Sequence, residues 1–194
     1  MNSHSSASTY QRKMLAAFRG FIERYGSGES LRYLDVGCGD GVATMSYLGA
    51  LLERGVSLRT CTLVDPDAVA RDLAATRVAP VMDSGELSSV PQLSQELLDE
   101  NRFDLIVLSY VVAHFDPRIL HELVRALRPR GCVVVMRGHS DTPPVQLDSV
   151  LTSLQRNEQL QVQRKLVPIE DRVRHEFISI VRRYDPPFKT SKLS

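Results

Sequence analysis

No apolar run in this sequence approaches the roughly 20 residues that a membrane-spanning helix requires. The opening Met1–Thr9 is rich in serine and lacks the apolar stretch of a secretory signal. A cytoplasmic protein with no membrane partner is expected. Neither sign of charge dominates, because 24 Lys and Arg against 23 Asp and Glu leave a net +1. That balance gives no electrostatic footprint for nucleic acid, so a small or neutral partner is expected. Cysteine is scarce too: Cys38, Cys61 and Cys132 are odd in number and widely spaced, and two of them lie in apolar, strand-like segments. They suit neither a disulfide framework nor a zinc site, and read as small buried side chains in a reducing compartment, with no metal. The chain also has no internal repeat.

What is present suffices for one core. The 194 residues are 43% hydrophobic and 24% charged, which fits a single folded domain and excludes compositional disorder. That domain is expected over residues 10–185, with a tail at 1–9, an N-terminal helix or lid at 10–27 and a frayed end, Pro186–Ser194.

From Tyr10 to Tyr25, Met14, Leu15, Phe18, Phe21 and Ile22 recur at helical spacing, and Gly26-Ser27-Gly28 ends the run. Strand-length apolar runs then alternate with helical stretches, the pattern of a parallel sheet covered on both faces. Strands are predicted at Leu31–Val36, Leu58–Val64, Val78–Met82, Phe103–Leu108 and Cys132–Met136. The intervening helices are predicted over Val42–Arg54, from Pro66, over Pro91–Glu100 after a Ser/Gly-rich loop, and over Pro117–Leu127, stopped by Arg128-Pro129-Arg130-Gly131. Pro143–Asn157 reads as one more helix. Leu160–Val167 and Phe177–Tyr184 are separated only by Pro168–His175, too short for a parallel crossover, so they should pair antiparallel.

The first strand runs into Leu34-Asp35-Val36-Gly37-Cys38-Gly39-Asp40-Gly41, directly before a helix. Glycines at alternate positions permit a tight turn and a close approach to the main chain at the carboxyl edge of the sheet, where open α/β folds bind ligands. The second strand ends Val64-Asp65-Pro66-Asp67, which brings a carboxylate to the same edge at the spacing of a ribose-binding acid. Asp65 suits that contact, its alternative being an N-cap; for Asp67 the local capping role is expected.

Together, Leu34–Gly41, Asp65 and the strand pattern resemble the class I S-adenosylmethionine-dependent methyltransferases. The resemblance implies a Rossmann-like, doubly wound sheet of seven strands, five parallel plus a C-terminal hairpin whose last strand is antiparallel. A nicotinamide-dependent dehydrogenase fits less well, because Gly39 and Gly41 are separated by one residue rather than two. The implied cofactor is S-adenosyl-L-methionine, with S-adenosyl-L-homocysteine as product. The implied binding set is Asp35, Gly37, Cys38, Gly39, Asp65, Pro66, Asp83, Ser84, Ser109 and Tyr110. In it the glycine turn lies against the methionine part, and Asp83, closing the third predicted strand, receives the adenine amino group or else caps its loop.

The methyl group of a sulfonium is already activated, so alignment and exclusion of water are the main tasks, and a base matters only for a hydroxyl or ammonium acceptor. His114, in Val111-Val112-Ala113-His114-Phe115, resembles the histidine–aromatic pair of small-molecule members, and it can alternatively cap or pack against the Pro117 helix. His139 past the fifth strand is a second candidate. His121, His4 and His175 read as structural or solvated. Arg137, Arg172 and Arg174 suit an acidic substrate or a solvated surface. The Asn/Asp-Pro-Pro-aromatic motif of nucleic-acid amino-methylating enzymes is replaced by Ser109-Tyr110-Val111-Val112. The expected function is methyl transfer to an oxygen or nitrogen of a small-molecule acceptor by a monomer or homodimer. Other readings are a non-catalytic cofactor-binding or regulatory subunit, and a protein or RNA methyltransferase.

Overall fold

The computed structural model describes residues 3–111, 114–138, 144–170 and 173–183. Within them the apolar runs form β1 (Ser30–Val36), β2 (Ser57–Val64), β3 (Glu86–Val90), β4 (Phe103–Ser109), β5 (Leu127–Gly138), β6 (Leu160–Glu170) and β7 (Val173–Arg182). The strands lie in the order β3-β2-β1-β4-β5-β7-β6. Strands β1 to β5 pair in parallel, and β7 runs antiparallel to both β5 and β6. This is the expected Rossmann-like sheet with its antiparallel last strand. The order reverses between β1 and β4, and the crevice outside the carboxyl ends of those two strands is where such sheets take ligands.

Helices α1 (Ser3–Ile22), α2 (Val42–Glu53) and α3 (Ala68–Val78) cover one face, while α4 (Ile119–Arg125) and α5 (Pro144–Gln155) cover the other. Side chains alternate between the faces along each strand, so Tyr33, Leu63 and Val107 enter the first core and Leu34, Val64 and Leu108 the second. The period of α1 holds: Met14, Phe18 and Ile22 are all but fully buried, four residues apart. Lys13 Nζ donates to the carbonyls of Pro168 and Ile169 at 2.8 and 2.7 Å, which ties this helix to β6. Helix α1 begins at Ser3, earlier than the predicted Tyr10. Among the described residues, no helix is long and apolar enough to cross a membrane.

The sequence reading fails around the third strand. Ala74, Val78 and Met82 are buried at intervals of four, so the segment predicted as a strand continues the buried stripe of α3 and closes in a 3-10 turn at Ala79–Val81 around Pro80. The true third strand is Glu-Leu-Ser-Ser-Val, within the stretch taken for a loop; as a sheet edge with half-exposed faces it needs little apolar content. The helix predicted over Pro91–Glu100 is replaced by turns, with Leu97 and Leu98 still buried. With no helix there, a polar cavity of about 410 Å³ opens beside β2 and β3, lined by Thr60, Thr62, Ser88, Arg32 and Arg128 among others. In β5 the expected turn Arg128–Gly131 is absorbed as a bulge: Phe103 and Leu105 oppose Leu127 and Cys132, and Arg130 takes φ 69°. Strands β6 and β7 likewise run through most of the linker predicted at Pro168–His175.

Candidate functional site

The turn leaving β1 reverses the chain through three left-handed glycines, Gly37 (φ 74°), Gly39 (φ 53°) and Gly41 (φ 80°). Their reasons differ. A Cβ at Gly37 would stand 2.1 Å from Cγ1 of Val111, and one at Gly41 would stand 2.7 Å from Cα of Ala74, so these two serve close packing of the β4 loop and of α3. At Gly39 no described residue other than its chain neighbours lies within 4 Å of that position, and of the three this is the glycine beside open space. The N–H groups of Gly37 and Cys38 are spent on the Val64 carbonyl, at 2.7 and 3.1 Å, which locks the turn to the end of β2.

Asp65 completes the link. Its Oδ2 accepts from the Gly39 N–H at 2.8 Å and its Oδ1 from the Asp67 N–H at 2.9 Å, while Arg71 Nη1 donates to its carbonyl at 2.7 Å. The half-buried carboxylate keeps lone pairs beyond these two bonds. Pro66 next to it is exposed. Asp67 is the N-cap of α3, accepting from Val69 and Ala70, as expected.

Asp35 is 2% exposed, and its Oδ2 accepts from Thr44 Oγ1 at 2.7 Å and from Tyr33 Oη at 3.2 Å. Among the described residues, no donor reaches its buried Oδ1. Burial pushes this carboxyl up to about 6, against the pull of its two hydroxyl donors. A buried oxygen left without a donor beside the glycine turn fits a cationic ligand group such as the ammonium of a bound amino acid. That orphaned oxygen and the open side of Gly39 both fit S-adenosylmethionine. Cys38 is buried and its thiol is pushed up to about 12 by burial, so it contributes backbone rather than a nucleophile.

At the end of β4, the Ser109 hydroxyl is 2.9 Å from Tyr47 Oη of α2. Tyr110 adopts φ 61°, a conformation that costs a non-glycine residue on the order of 1–3 kcal/mol. Its Oη lies 2.6 Å from Nδ1 of His175, which β7 delivers opposite Gly138 at the carboxyl end of β5. His114 is exposed, with its backbone N–H on the Val111 carbonyl at 2.9 Å. His139 and Arg172 fall outside the described residues. Asp83 and Ser84 are a correction. They precede β3 instead of following it, so they sit exposed at the amino edge, opposite the glycine turn, and Asp83 (φ 29°) shapes the turn into the strand. Arg137, only 3% exposed, pairs with buried Glu176 on the α5 face. The sequence reading missed Tyr47, Thr44 and His175; Thr44 and Tyr47 were readable as polar positions on the buried face of α2, whereas His175 carried no local signal.

Comparison with known proteins agrees with this architecture. A family model described as methyltransferase domain matches residues 10–183. No curated protein matches in sequence. Among solved structures, the CMeT domain of the citrinin polyketide synthase is similar with a TM-score of 0.67 at 18% identity, over 89% of this chain and 53% of that one. The CurJ carbon methyltransferase is similar with a TM-score of 0.59 at 15% identity, over 84% and 51%. An rRNA methylase from Streptococcus thermophilus gives 0.61 at 12% identity, over 86% and 94%. The chain thus spans about half the length of the first two. At these identities the likeness concerns the fold alone.

Proposed function

Since the chain belongs to the methyltransferase-domain family, with the class I fold and S-adenosyl-L-methionine as its cofactor, we propose that it transfers the methyl group to an oxygen or nitrogen of a small-molecule acceptor. The observation that carries the reading is the 2.8 Å bond from the Gly39 N–H to Asp65, which unites the glycine turn and the acid at one sheet edge. The proposed ribose acceptor is Asp65, the proposed ammonium acceptor is Asp35, and Gly39 gives room for the methionine part. The cofactor supplies a methyl carbon already activated by positive sulfur.

The protein's part is alignment. Carboxylates at the ends of β1 and β2 fix two separate portions of one ligand, which limits its rotation and supports in-line attack. The near-zero net charge favours a small acceptor over a polyanion. Where the acceptor must lose a proton, two groups stand at this edge, exposed His114 and the Tyr110–His175 pair. Three free, buried cysteines suit a reducing cytoplasm.

Calorimetry with S-adenosylhomocysteine tests the reading. One site is expected, and Asp65→Ala should weaken it by roughly 10- to 100-fold, the loss of hydrogen bonds to a charged group. Asp83→Ala, at the opposite edge, should leave affinity unchanged. Binding indifferent to Asp65→Ala would refute the site.

A further inference from the structure

Tyr110 is held in an unfavourable backbone conformation at the switch point of the sheet, and its neighbour Val111 is pressed against Gly37 of the cofactor turn. Its ring packs against the core that α1 and α2 cover, and the phenol ends 2.6 Å from Nδ1 of a half-buried imidazole. A contact that short between a phenol and an imidazole holds a proton between oxygen and nitrogen. The rings are tilted by 59° with centroids 5.4 Å apart, so the contact is made through the polar atoms rather than by stacking. The two residues come from β4 and β7, and the pairing of Gly138 with His175 fixes the imidazole at the same edge as the glycine turn.

We propose that Tyr110 is the catalytic base for a hydroxyl-bearing acceptor and that His175 is its positioning and proton-receiving partner. The inference rests on the reading of this edge as a methyl-transfer site. In the resting state the Tyr110 O–H donates to Nδ1, and His175 carries its own proton on Nε2. As the acceptor oxygen forms its bond to the methyl carbon, the carbon–sulfur bond breaks and its electron pair stays on sulfur. The acceptor's proton passes to the Tyr110 oxygen while the tyrosine proton passes to Nδ1, leaving a neutral phenol and an imidazolium. Charge balances, since the sulfonium's positive charge ends on the imidazole, from which solvent removes the proton after turnover.

Three measurements decide it. Nitrogen-15 NMR of the cofactor-free protein should find His175 as the Nε2–H tautomer, and Tyr110→Phe should shift its Nδ1 resonance; a proton resident on Nδ1 would overturn the assignment. With methyl-labelled S-adenosylmethionine and a protein-free, low-molecular-weight cell extract, Tyr110→Phe should lower product formation at least 100-fold and His175→Ala at least 10-fold. Their S-adenosylhomocysteine affinities should stay within about 2-fold of the unaltered protein, a split that simple misfolding does not produce. His121→Ala, exposed on α4, should retain turnover within about 2-fold. Wild-type turnover in Tyr110→Phe, or the large loss appearing in His114→Ala instead, sinks the proposal alone. If the unaltered protein binds S-adenosylhomocysteine yet methylates nothing in the extract, the functional reading fails and the base with it.

Discussion

Two acids are buried to the same degree near the carboxyl edge of the sheet, and the protein treats them in opposite ways. Asp35 and Glu176 are each 2% exposed. Among the described residues, Asp35 has only neutral hydroxyl donors and one oxygen with no donor, and burial carries its carboxyl up to about 6. For Glu176, burial alone would raise the carboxyl, but Arg164 and Arg137 together hold it below its ordinary value. Arg164 also reaches Asp148 of α5 at 2.7 Å. Glu176 is a fastener between β5, β6, β7 and α5. Asp35 is left incomplete, and the ammonium contact proposed above is what would complete it.

The sharpest way to break the contrast is Glu176→Gln. It leaves Arg137 buried without its counter-charge and should destabilise the fold by about 3–5 kcal/mol in denaturant unfolding. Asp35→Asn should act the other way round, weakening S-adenosylhomocysteine by roughly 10- to 100-fold in calorimetry while changing stability at neutral pH far less than Glu176→Gln does. The pH dependence should be the smallest effect and carry opposite signs. A carboxyl raised in the folded state binds its proton more tightly there, so Asp35 makes the cofactor-free protein more stable as pH falls from about 6 to 4. Asp104, also raised to about 6 by burial, adds in the same sense. Asp35→Asn should therefore reduce, not abolish, that rise in thermal unfolding measurements. Glu176, lowered in the folded state, supplies stability that is present above about 4.5 and fades as pH falls below it.

The contrast also marks what sequence can tell. The glycine turn and Asp65 were legible because both are local: a strand, a turn of fixed chemistry, and an acid one βα unit further on. Asp83 was misplaced because the four apolar residues flanking Pro80 satisfy strand and helix readings alike, and only the burial of Ala74, Val78 and Met82 on one stripe decides between them. The polar edge strand Glu86–Val90 offers no alternation to read. His175 looked like a loop residue because its meaning depends on a register 37 residues away, against Gly138. Arg137, one of the two arginines paired with Glu176, was noticed as a cation but not as a partner, for the same reason.

The position of β7 has a consequence for when the site comes into being. Strand β7 lies between β5 and β6, so the last strand among the described residues is inserted into the sheet instead of being added at its rim. The glycine turn and Asp65 belong to the first two strands and to contacts close in sequence. The phenol–imidazole pair spans 65 residues and exists only after that insertion. A chain shortened before β6 keeps every residue of the glycine turn and lacks His175 altogether, so the proposed ligand capture and the proposed proton removal lie in separable parts of one fold. On that proposal, competence for chemistry arrives with the final stitch of the sheet.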